Sequence, residues 1–116
     1  MYVDGFVVPV PKNKLGEYTE VSKYMCKLCK DAGALSYVEC VADDVKPGKV
    51  TSFPQAVQLK DDEVVVFSWI TYKSKEDRDR INKLCMEDPR MKELGQHMPF
   101  DGQRMFAGGF KPIIEA

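Results

Sequence analysis

Two periodicities alternate along the chain. Tyr2 to Val10 is rich in β-branched and aromatic residues, which marks a strand. Leu15, Tyr18, Ser22, Met25, Cys26 and Cys29 then recur at helical spacing and define one buried stripe. Gly33 stands where a left-handed cap would end that helix. Leu35 to Val41 alternates again, with Leu35, Tyr37, Glu39 and Val41 on one face. Ala42 to Pro54 reads as a polar loop, Gln55 to Leu59 as a short strand, and Lys60-Asp61-Asp62 as a turn. Glu63 to Tyr72 is the strongest strand signal. Ser74 with Asp77 opens a second helix carrying Ile81, Leu84 and Cys85. Asp88-Pro89 starts a short third helix that stops at Gly95, and Arg104 to Phe110 is the last strand.

The order strand, helix, strand, strand, helix, strand folds through right-handed crossovers into a four-stranded antiparallel sheet with both helices on one face. The other face is left bare by this chain. Yet Val65, Phe67 and Trp69 point one way from the third main strand while Val64, Val66 and Ile70 point the other. In the first strand Phe6 and Val8 lie opposite Val3 and Val7. A sheet face left in water normally alternates into polar residues, and an apolar patch of several hundred Å2 is rarely tolerated by a monomer. A second copy related by a two-fold axis is the simplest cover. Two sheets so packed would form a closed or nearly closed barrel with an internal cavity. The expected partner is therefore the chain itself, through the sheet face.

Composition narrows this picture. A chain of 116 residues, 44% hydrophobic and 30% charged, suits one domain over residues 1–116. Seventeen basic against 18 acidic residues leave a net charge of -1, which argues against binding nucleic acid by phosphate neutralisation. No apolar run suits a membrane span. The N-terminus carries no secretion signal, so a cytoplasmic location with reduced thiols is expected. Cys26 and Cys29 have the spacing of a redox or zinc pair but lie within the helical stripe. They read as small core residues, with a structural metal the lesser alternative. Neither metal nor cofactor is expected.

At this point a resemblance is visible. Met1-Tyr2-Val3-Asp4-Gly5-Phe6-Val7-Val8, Gly33-Ala34-Leu35, Val38-Glu39-Cys40 and Asp43-Asp44-Val45 resemble motifs of the YbaA-like family of small bacterial proteins of unknown function. So do Val66-Phe67-Ser68-Trp69-Ile70, Asp88-Pro89-Arg90-Met91-Lys92 and Met98-Pro99-Phe100-Asp101-Gly102. The likeness runs from Tyr2 to Ile114 and implies a ferredoxin-like α+β fold, βαββαβ, of the dimeric α/β-barrel type. The wider superfamily it implies includes cofactor-independent monooxygenases, haem-degrading enzymes, lactone isomerases and non-catalytic sensors. A fold alone selects none of these.

Ionisable groups within strands are the candidate chemistry. Asp4 sits between apolar neighbours, Glu39 alternates with Tyr37, and Arg104 begins the last strand. Because the first and last strands are neighbours in this topology, Asp4 and Arg104 are expected to approach each other. Asp4, Glu39 and Arg104, together with the aromatics Tyr37 and Trp69, are the candidate ligand-binding residues. Glu39 or His97 would accept a proton and Arg104 would hold developing negative charge. Arg104→Ala is then expected to weaken ligand binding more than folding. His97 would serve a haem only by facing the cavity. The Gly95 to Gly102 segment is the candidate lid. The leading expectation is a small-molecule-binding homodimer with oxygenase- or isomerase-like activity. The alternatives are a non-catalytic sensor or assembly module and, weaker, an RNA-associated protein.

Overall fold

In the computed structural model, which describes residues 1–116, the four main strands and three of the helices form in the expected order. β1 (Tyr2–Pro11) leads through a single 3-10 turn into α1 (Leu15–Ala32). β2 (Ser36–Val41), α2 (Phe53–Ala56) and β3 (Glu63–Tyr72) follow. α3 (Lys75–Glu87), α4 (Pro89–Leu94) and β4 (Phe106–Phe110) complete the chain. All pairings are antiparallel, in the spatial order β2-β3-β1-β4. This is the ferredoxin-like α+β arrangement anticipated from the pattern.

The local signals act as their chemistry requires. Gly33 caps α1 at φ 118°, a conformation that costs a residue with a Cβ about 1–2 kcal/mol. Its N–H and that of Ala34 return to the last carbonyls of α1. The Ser74 hydroxyl accepts from Asp77 N–H at the start of α3, and the Asp88 carboxylate accepts from Met91 N–H at the start of α4. Both satisfy helix donors that would otherwise be orphaned.

The register sorts the sheet into two faces. Asp4, Phe6, Val8 and Val10 share the helix face with Val66, Ser68, Ile70 and Tyr72. Under α1 and α3, Cys29, Ala34, Ile70, Tyr72, Ile81 and Cys85 form one core cluster. Val8, Val10, Tyr18 and Val66 form a second. The CxxC spacing pairs nothing: Cys29 packs on Cys85 of α3, with Sγ 3.6 Å from Sγ, while Cys26 is half-buried.

Two expectations need correction. Gln55–Leu59 is not a strand. Ser52 caps a helical turn by accepting from Gln55 N–H, and Pro54 is preset for that first turn. Its consequence is that the opposite sheet face is only partly bare: Val57 buries itself between Val7 and Val65, and Phe53 rests on Phe67 with ring centroids 5.8 Å apart. Arg104 does not begin the last strand, which opens at Phe106. On α3, Ile81 and Cys85 are buried while Leu84 is exposed.

Candidate functional site

Strand alternation in β2 turns Tyr37 and Glu39 onto the helix face, opposite Ile70 and Ser68 of β3. α1 lays Tyr18, Ser22 and Met25 across them. α4 supplies Met91, and the loop beyond it supplies Met98, Phe100 and Met105. These elements line a cavity of about 190 Å3 that opens to solvent on one side. Four of the chain's six methionines line it. Thioether side chains are flexible and polarisable, so such a wall adapts to the shape of an apolar guest.

One carboxylate faces this apolar space. Tyr18 donates from its phenol to Glu39 Oε1 at 2.7 Å, and Tyr37 donates to Glu39 Oε2 at 2.9 Å. Burial, then the Glu39 charge, then the hydrogen bond to it hold the Tyr37 phenol well above the ordinary tyrosine range. The same causes raise Tyr18, with Ser22 acting in the opposite sense. Both phenols therefore stay protonated and remain donors at neutral pH. A carboxylate oriented by two donors, each with lone pairs to spare, can anchor a ligand's hydrogen-bond donor. It can also take a proton from a substrate held against it.

The other sequence candidates do not converge here. Asp4 does not meet Arg104. Its carboxylate is buried beside Arg78 of α3, Oδ1 lying 3.1 Å from Nε, and Tyr72 donates to Oδ2 at 3.2 Å. The Nε–H does not point along the line to Asp4, so that contact is an ion pair rather than a directed hydrogen bond. Arg78 also donates to the Tyr2 hydroxyl and lies over its ring. Arg104 is taken up elsewhere: two of its nitrogens donate to Glu63 at 2.7 and 2.6 Å, and Nε donates to Asp101 at 2.9 Å. It also reaches the Val57 and Gln58 carbonyls. The reason is the turn before β4, which carries the guanidinium toward the start of β3 and away from Asp4. Trp69 lies on the far face of the sheet, beside Phe67. His97 is exposed and outside the cavity lining, although its neighbours Met98 and Phe100 belong to that lining. Of the proposed set, only Tyr37 and Glu39 share a site.

In the sequence, Tyr18 is visible only as part of the α1 stripe. Its separation from Glu39 by one turn of fold rather than of chain leaves no local signal. Arg78, on a helix rich in charge, was equally silent. The methionines carried the one readable hint: those at positions 91, 98 and 105 are clustered in a segment of otherwise polar and turn-forming character.

Comparison with known proteins places this architecture. The family profile described as a protein of unknown function, DUF1428, matches residues 1–102. The chain belongs to the DUF1428 family. It is 56% identical over 114 residues to the uncharacterized protein YbaA of Escherichia coli K12, covering 98% of this chain and 97% of that one. The YbaA protein of Shigella flexneri matches to the same extent. Among solved structures, a dimeric ferredoxin-like protein from an uncultured marine organism aligns with a TM-score of 0.66 at 11% identity, covering 100% of this chain and 98% of that one. An uncharacterized NIPSNAP domain protein from Burkholderia xenovorans aligns with a TM-score of 0.56 at 11% identity, covering 97% and 94%. These two likenesses concern the DUF1428 fold alone. No helix of the chain is long and apolar enough to cross a membrane.

Proposed function

We propose that the protein binds a small, largely apolar organic molecule in the cavity beneath α1, with Glu39 as its polar anchor. The observation that carries this reading is a single carboxylate, held by Tyr18 and Tyr37, inside a pocket of aromatic and thioether side chains. An apolar cavity of about 150 Å3 suffices for benzene, so the guest is of fragment size. Proton transfer of the kind an isomerase or a cofactor-independent oxygenase needs would use Glu39 as the base. A cytosolic setting suits its four free thiols.

The same proposal includes a homodimer. Val3, Phe67, Trp69, Phe106 and Phe110 form an apolar groove on the sheet face away from the helices, and Phe67, Phe106 and Phe110 are exposed there. The similarly folded marine protein is described as dimeric, which supports the pairing of two copies here.

A fragment screen followed by thermal shift tests the cavity. Small apolar molecules with one donor group are expected to raise the melting temperature of the native protein by mass action. The variant Met91→Trp, which fills the cavity from α4, is expected to lose that response. A screen in which no such molecule stabilises the native protein, or in which Met91→Trp responds equally, overturns the reading.

A further inference from the structure

Glu39 is half-buried at the cavity wall, and a charge partly withdrawn from water is stabilised by a partner. Glu39 is the only charged residue in the lining, and the cleft that adjoins it beside Leu15 and Thr19 holds no Lys, Arg or His either. The arginines in reach of the sheet are engaged. Arg78 serves Asp4 and Asp79, and Arg104 serves Glu63 and Asp101. The lone histidine stands outside. Glu39 thus receives two phenol hydrogen bonds but no counter-charge from its own chain.

The phenols sharpen the point. Each has spent its only proton on Glu39, so neither can donate to a guest. A guest must bring its own donors, and an ammonium brings three along with the missing charge. The surroundings suit a cation in a second way. The rings of Phe6, Tyr18, Tyr37 and Phe100 line the same space, and aromatic faces attract ammonium groups. An anionic guest would meet only like charge.

We infer that the ligand of this cavity is an organic cation: a protonated amine of about eight or nine non-hydrogen atoms in all, a size scaled from benzene in a cavity of about 150 Å3 to the 190 Å3 present here. The inference rests on the cavity reading above and adds the charge of the guest. The amine nitrogen would sit against Glu39, with the body packed among the methionines.

Three probes of equal bulk separate the possibilities: phenethylamine, its alcohol analogue phenylethanol, and phenylacetate. Their affinities for the full-length protein are measured calorimetrically at pH 7, where an alkylamine carries its proton much as lysine does. The amine is expected to bind at least about tenfold more tightly than the alcohol, the advantage of a charged over a neutral hydrogen bond. Phenylacetate is expected not to bind. In Glu39→Gln the amine's advantage should vanish while the alcohol's affinity stays within a fewfold. Met91→Trp should abolish all binding. An amine no tighter than the alcohol in the native protein overturns the cation inference. So does an advantage that survives Glu39→Gln. Alcohol binding that Met91→Trp removes would then leave the cavity reading standing. Failure of both amine and alcohol to bind overturns both. The native amine-to-alcohol ratio decides the question by itself if Glu39→Gln does not fold.

Discussion

Phe110→Ser tests the sheet-face dimer most directly. The Phe110 side chain is 63% exposed in the single chain, and its ring lies over Gly5 and Gly108, where no side chain props it away from the sheet. Taking about 200 Å2 for a phenylalanine, a partner that covered the exposed part would remove about 125 Å2 from water on each subunit. Both copies change in a homodimer. At about 25 cal/mol per Å2, the variant forfeits up to about 6 kcal/mol of association energy, or about 10,000-fold in the dimer dissociation constant. Sedimentation equilibrium at micromolar concentration is the assay. The native protein is expected to run as a dimer and Phe110→Ser as a monomer with an unchanged far-UV spectrum. The single tryptophan offers a second readout: Trp69 lines the same groove, so its emission should shift to the red as the subunits part. A native protein that sediments as a monomer refutes the reasoning. So does a variant that stays dimeric at the same concentration.

Two further outcomes follow from the polar contacts. Hydrogen bonds from Arg104 hold Glu63 and Asp101 below their ordinary values. Both carboxylates are lowered on folding, so their stabilisation is complete above about pH 5, where the unfolded groups are ionised, and is lost as the pH falls through the lowered values. Arg104→Ala should melt earlier at pH 7, lose less on acidification to pH 3 than the native protein, and bind cavity ligands unchanged; parallel melting curves at the two pH values would contradict this. Among the thiols, Cys29 is pushed up by its contact with Cys85 and by burial, whereas Cys26 is half-buried. Mass spectrometry after brief alkylation at pH 8 should find Cys26 labelled and Cys29 and Cys85 intact until the protein unfolds; early labelling of Cys29 counts against the packed pair.

The parts of this molecule that were legible in advance are those written in local periodicity. Strand alternation set Tyr37 and Glu39 on one face, helical spacing set the α1 stripe, and Gly33, Ser74 and Asp88 marked helix ends through their own backbone chemistry. Contacts between distant segments were not legible. Arg104 seemed free to reach Asp4 because neighbouring strands bring their residues close, but a guanidinium selects whichever carboxylates its loop presents, and the turn before β4 presents Glu63 and Asp101. Gln55–Leu59 reads as a short strand, yet Ser52 and Pro54, within the expected loop, open one turn of helix that overlaps its start. Glu39 was identified as chemistry, but its two phenol donors became apparent only when α1 was laid across β2.

The glycines of β4 carry a final consequence. Gly108 faces Gly5 across the strand pair, and Gly109 faces Asp4. A methyl group at Gly109 would collide with the Tyr2 hydroxyl and the Arg78 guanidinium, so stiffening this strand by substitution would disturb the ion pair at Asp4. Five residues long, rich in glycine and bonded on one side only, β4 has the least to hold it when thermal fluctuation pries at the sheet. Fraying would therefore begin here, and slowed amide exchange at 106–110 would be the earliest sign that something has settled against it.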